Sequence, residues 1–203
     1  MPSRIFATIY DPLMHRIEPQ GVRDARGPLV DDLTGDVLEV GAGTGANFEH
    51  YSAAARVTAT DYSPYMVKRA RRKAAQVEAD VTVSEANVEA LPYTDGQFDH
   101  AIATLAFCSV DDPAVGLAEI RRVTKAGGSV RLLEHVRADG GRQRRVQNWL
   151  TPLWRRMNDG CHLNRDTVQE VERAGFEIEA VESIPKTPRL VPMKVIRARV
   201  PDA

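Results

Sequence analysis

Val37-Leu38-Glu39-Val40-Gly41-Ala42-Gly43-Thr44-Gly45 decides how this chain is read. Val37, Leu38 and Val40 carry a short strand up to a loop with glycine at alternate positions, which turns tightly and lets a ligand approach the backbone. About twenty residues further on, a second strand ends in Asp61, whose carboxylate can accept from both hydroxyls of a ribose. Together they form a nucleoside site before any chemistry is assigned. Such a loop ordinarily binds a dinucleotide. Two details disagree with that reading. Glu39 stands just before the first glycine, and the segment after Gly45 begins Ala46, Asn47, Phe48. A carboxylate beside the loop suits a cationic ligand better than a pyrophosphate. Glu39 is expected near the charged groups of such a ligand, the alternative being a bond to a neighbouring backbone amide.

Outward from the loop, apolar strand-like runs alternate with helical patterns. That order argues for an α/β chain with a mostly parallel sheet and helices on both faces. Strands are expected over 36–40, 55–60, 81–85, 98–104 and 128–135, then over 176–183 and 193–200, seven in all. Ser63-Pro64 reads as a helix N-cap and first position, with Met66, Val67, Ala70, Ala74 and Val77 on one face. Asp112-Pro113 opens another helix, which Gly127-Gly128 is expected to close. Asn164 or Asp166 caps a last helix ending at Gly175. Asp99 is read as an anchor for the start of its strand.

The sequence resembles the class I S-adenosylmethionine-dependent methyltransferases, of the methyltransferase-domain 11 type, over roughly residues 35–183. Glu39 to Gly45 is similar to the family's first motif. Asp61 matches its ribose-binding acid, with Tyr62 and Met66 flanking the adenine. Asn87-Val88 stands where most members place an aspartate that meets the adenine amino group. An amide oxygen accepts that bond without charge, so weaker binding is expected. Thr104 and Leu105, ending the fourth strand, fall beside the methionine part of the cofactor. The resemblance implies a doubly wound, seven-stranded Rossmann-like methyltransferase fold in one domain over 1–203. Residues 1–33 form an N-terminal helical cap, 34–136 the cofactor-binding core, and 137–203 a substrate-cap helix with the last strands. It also implies S-adenosyl-L-methionine as cofactor, S-adenosyl-L-homocysteine as product, and cofactor contacts from Glu39, Gly41, Ala42, Gly43, Gly45, Asp61, Tyr62, Met66, Asn87, Val88, Thr104 and Leu105.

The runs Leu105 to Val110, Glu134-His135-Val136 and Asp159 to Thr167 are similar to the branch with alkyl-thiol S-methyltransferases. Quinone-ring C-methyltransferases and phospholipid N-methyltransferases share the first four motifs. A thiol with an ordinary pKa near 8.5 is only a few per cent thiolate at neutral pH, so a base or a positive neighbour is needed. His135, at the carboxyl end of the fifth strand, beside the place where open sheets bind ligands, is the first candidate. His162 is the second, with Asp159 to orient it or to act through water. Either histidine can equally be structural. Cys108 and Cys161 are read as small buried hydrophobes near the acceptor, and a bond between them would need both to face one pocket. Methyl transfer itself requires no metal, and none is expected.

Residues 141–157 place Val146, Trp149, Leu150, Leu153 and Trp154 at helical spacing among Arg142, Arg144, Arg145, Arg155 and Arg156. The helix packs as core, caps the acceptor pocket, or rests weakly on an anionic membrane surface. The cap is the favoured reading, with Trp149 lining the pocket and Tyr10 reaching it from the amino-terminal stretch.

The formal charge of -1 gives no reason to expect a nucleic-acid partner. The opening MPSRIFATIYDPLM lacks a signal-peptide core, and the longest uncharged apolar run, Ala101 to Val110, is too short to span a bilayer. A cytoplasmic protein is expected, monomeric or homodimeric, transferring methyl to a small apolar molecule, a thiol first. The non-enzymatic alternative is a sensor that keeps the cofactor pocket.

Overall fold

A computed structural model describes residues 20–157 and 160–202. Helix α1 (Gln20–Val30) leads into β1 (Gly35–Val40), a short 3-10 turn (Phe48–His50) and β2 (Ala55–Asp61). Next come α2 (Pro64–Ala74), β3 (Asp80–Glu85), β4 (Phe98–Thr104), α3 (Pro113–Val123) and β5 (Thr124–His135). The chain continues through α4 (Gly141–Met157), α5 (Thr167–Arg173), β6 (Glu177–Ser183) and β7 (Met193–Arg199). The seven strands lie in the order β3-β2-β1-β4-β5-β7-β6. All pairs are parallel except those made by β7, which runs antiparallel to both β5 and β6.

Side chains alternate across the pleat, so each central strand feeds two cores. Val37, Val57, Ala59, Ile102, Leu133 and Val195 meet α1 and α2 on one face. Leu38, Val40, Ala101, Ala103, Leu132 and Ile196 meet α3 and α5 on the other. The strand order turns at β1 and β4, and the crevice beyond their carboxyl ends is the ligand position of such sheets.

The expected caps are present. The Ser63 hydroxyl accepts from the Met66 amide, and Asp112 accepts from Ala114 and Val115. Asp166 caps α5, whereas Asn164 bonds to Asn148 instead. Asp99 anchors its strand, accepting from the Asp36 amide and from Lys125. One expectation fails. Gly127-Gly128 does not close α3, which ends at Val123; β5 begins at once at Thr124 and runs through the glycines. The Thr124 hydroxyl donates to Ile120 O at 2.7 Å, finishing the helix without a glycine. The register then shifts between Phe98 and His100, leaving the glycines in an irregular stretch of ladder.

Candidate active site

The cradle is built by backbone. Gly41, Gly43 and Gly45 all have positive φ, and a Cβ on Gly41 would lie 2.4 Å from the Cβ of Ala106. The loop is therefore pressed against the segment that follows β4, which only a glycine permits. Gly43 N donates to Asp61 Oδ2 and Ser63 N to Oδ1, each at 2.8 Å. Asp61 thus latches the glycine loop to the start of α2. Tyr62 is exposed and Met66 is buried. Asn87 is exposed, its side-chain oxygen already accepting from the Glu89 amide at 3.0 Å, and Val88 is half-buried beside Gly116. Leu105 adopts φ 54°, an uncommon conformation for a residue with a branched side chain, at the point where β4 meets the cradle.

Glu39 faces inward. Its two oxygens accept from Asn47 Nδ2 at 2.9 Å and from the Tyr51 hydroxyl at 2.8 Å. Asn47 also donates to Thr104 Oγ1 and accepts from Arg26 of α1. The carboxylate ties α1, β1, β4 and the 3-10 turn beneath the loop. Burial pushes its pKa up to about 7 against the pull of those hydrogen bonds.

A second buried acid lies across the crevice. Glu134, with no exposed surface, accepts from the amides of Ala106 and Phe107 at 2.8 Å and of Cys108 at 3.3 Å. Burial pushes it, too, up to about 7. Its neighbour His135 places Nδ1 3.3 Å from Cys161 Sγ, and Cys108 Sγ completes a cluster in which these atoms lie within 4.8 Å of one another. Both cysteines are free and buried, and their sulfurs meet in one cluster. The sulfurs titrate in opposite directions. Cys161 is pulled down by hydrogen bonding to Cys108 and then by His135, while Cys108 is pushed well up by Cys161 and by burial.

The loops around the cluster are stitched together. His162 N donates to Cys108 O at 2.7 Å, and Arg165 donates to the carbonyls of Phe107 and Val110. The His162 ring is half-buried, and its pKa is lowered by desolvation and by Arg165 and Arg155. Helix α4 departs from the expected cap. Its buried residues include Gln147 and Thr151, whereas Trp149 is 79% and Leu153 60% exposed. Trp149 therefore does not line an enclosed pocket; Leu150 and Trp154 are the half-buried apolar residues, and Trp154 is among the groups that lower the Cys161 pKa. Tyr10 and Asp159 lie outside the described residues.

Residues 38–132 match the model of a family described as a methyltransferase domain. The rat thiol S-methyltransferase TMT1B is 35% identical over 178 residues, covering 85% of this chain and 71% of the rat protein. The chain belongs to the S-adenosylmethionine-dependent methyltransferases. The phosphatidylethanolamine N-methyltransferase of Cereibacter sphaeroides is 31% identical over 156 residues, covering 76% of this chain and 75% of that enzyme. A Thermotoga maritima methyltransferase structure has the same fold, with TM-score 0.73, 22% identity and 97% of both chains covered. Across the mammalian TMT1A and TMT1B proteins the chain spans between 59% and 71% of their own length. This methyltransferase takes its methyl group from S-adenosylmethionine. Among its described residues, no helix is long and apolar enough to cross a membrane.

Glu134, Asn47, Tyr51, Arg165 and Gln147 are site-building residues to which the motifs assigned no role. Glu134 had one visible signal: a lone acid inside the apolar run Val130-Arg131-Leu132-Leu133-Glu134-His135-Val136.

Proposed function

We propose that this methyltransferase methylates a small apolar thiol. The observation that carries this reading is the His135–Cys161 contact of 3.3 Å at the carboxyl end of β5, next to a loop that Glu134 holds by three amides. A thiol acceptor must lose its proton, and the half-buried imidazole beside the Cys161 sulfur offers a place for it. The thiol methyltransferase relatives support the same acceptor. S-adenosylmethionine supplies an electrophilic methyl carbon when bound. For its binding we assign Asp61 to the ribose, Tyr62, Met66 and Asn87-Val88 to the adenine, and Gly41 to Gly45 with Thr104 and Leu105 to the remainder. Glu39 and Asn47 act from beneath, fixing the loop. Two free cysteines suit a reducing compartment, and we place the reaction in the cytoplasm.

A lipid amine is the second reading, favoured by the exposed Trp149 and Leu153 among arginines and by the phosphatidylethanolamine methyltransferase relative. Radiolabelled cofactor offered with alkyl thiols, quinols and lipid amines, followed by product mass, separates these acceptors. The expected product is a methyl thioether, and His135→Ala is expected to lose turnover while still binding S-adenosylhomocysteine. Product from the lipid amine alone refutes the thiol reading.

A further inference from the structure

The Cys108, His135 and Cys161 side chains come from three separate segments: the loop after β4, the end of β5 and the loop before α5. Their ligand atoms lie within 4.8 Å of one another, with the imidazole Nδ1 and the Cys161 sulfur at 3.3 Å. A tetrahedral zinc ion with ordinary bond lengths holds two sulfurs about 3.8 Å apart and a sulfur and a nitrogen about 3.6 Å apart. The cluster closes on such an ion with shifts of about an ångström or less. Two thiolates and a neutral imidazole around a divalent cation sum to zero charge, which suits a site where both cysteines are buried. The supporting bonds also fit. Glu134 fixes the Cys108 amide, His162 N holds Cys108 O, and the Thr167 hydroxyl donates to His135 O.

We propose that Cys108, His135 and Cys161 are the three protein ligands of a zinc-class ion whose fourth position takes the sulfur of the acceptor thiol. The proposal rests on the thiol reading and alters how the proton leaves. The acceptor sulfur forms its bond to the ion as the S–H proton passes to solvent, with no change in oxidation state. His135 is then a ligand rather than a free base. Three protein ligands with one open position is the pattern of a catalytic zinc, whereas four ligands mark a structural one.

The test uses the purified chain, kept reduced, loaded with cobalt(II) and gel-filtered. One ion per chain is expected, with thiolate-to-cobalt charge-transfer absorption that propanethiol perturbs when S-adenosylhomocysteine is bound. Cys108→Ser and Cys161→Ser are expected to lose the absorption while retaining S-adenosylhomocysteine binding, which shows that they fold. Stripping the metal is expected to cut turnover of an alkyl thiol by at least about tenfold, with zinc restoring it. A folded chain that retains no ion, or serine variants that keep the same absorption, overturns the site. A spectrum indifferent to propanethiol overturns the acceptor's place on the ion. Undiminished thiol methylation by the stripped chain overturns the proposal while leaving the thiol reading standing.

Discussion

Glu134→Gln is a nearly isosteric change whose cost should reverse with pH. The glutamine oxygen keeps the amides of Ala106 and Phe107, but its NH2 group faces the Cys108 amide, which has been donating at 3.3 Å. Two donors face each other, and the lost acceptor costs about 1–3 kcal/mol. Against this stands the ionisation of a buried acid. Its folded pKa of about 7 exceeds the ordinary value of 4.5. Such a group contributes stability that is whole below the unfolded pKa and is lost as pH rises through the folded one. The window is therefore pH 4.5 to 7, and the difference amounts to about 3 kcal/mol. Glutamine carries no such loss. The variant should be less stable than the parent at pH 5 by about 1–3 kcal/mol, and equal to it or more stable at pH 8. Urea unfolding at both pH values measures this. A stability difference that is the same at both, within about 0.5 kcal/mol, refutes the account of Glu134 as a buried acid carrying an ionisation cost.

Glu39→Gln should flatten the stability profile over the same window, because burial raises Glu39 to about 7 and the Tyr51 hydroxyl can accept from the new amide as readily as it donates. Parallel urea profiles for variant and parent would count against it. Asp61→Ala should weaken S-adenosylhomocysteine binding by more than about tenfold, since it loses the charge-assisted bonds proposed to the ribose as well as the latch on Gly43 and Ser63. Calorimetry showing unchanged affinity would remove Asp61 from the site. Gly43→Ala meets nothing within 4 Å and should cost only the left-handed backbone strain of about 1–2 kcal/mol, whereas Gly41→Ala adds a collision with Ala106 and should cost more. Thermal unfolding that ranks the two in the reverse order would contradict the close packing of the loop on the β4 end.

The sheet was legible because its signals are local. Alternating burial, the Ser63-Pro64 and Asp112-Pro113 caps and the spacing from Gly41 to Asp61 each depend on a few neighbouring residues. Gly127-Gly128 misled for the same reason: a glycine pair signals a helix end, and only the ladder to β4 and β7 shows that it lies within a strand. The acceptor side was legible only in part. Cys108, His135 and Cys161 could each be named, but their convergence depends on contacts between residues 26 to 53 positions apart, fixed by Glu134 and Arg165. Glu39 was visible as a carboxylate beside the loop, yet its direction was set by Asn47 and Tyr51, which no motif marks.

The orientation of α4 shows how such polar contacts can override hydrophobic periodicity. Turning the Trp149 stripe inward would bury a large side chain, a gain of about 3 kcal/mol. It would also remove Gln147 from the end of β5. Gln147 accepts from Ala138 N at 2.9 Å and donates to Leu190 O at 3.2 Å and to Val136 O at 3.4 Å. Each of these backbone groups lies where the sheet ladder has ended, and leaving one buried without a partner costs about 1–3 kcal/mol. Two such buried groups, Ala138 N and Val136 O, together match or outweigh one tryptophan. The helix therefore docks by Gln147 and Thr151, with the Thr151 hydroxyl turned onto Gln147 O at 2.7 Å, and Trp149 and Leu153 are left on the outer face. What the helix gives the acceptor site is consequently not an apolar lid. It holds Trp154 near Cys161 and braces the chain leaving His135. An outward Trp149 costs the cluster nothing, and that face of α4 is free to vary without disturbing the sulfur and imidazole groups beneath it.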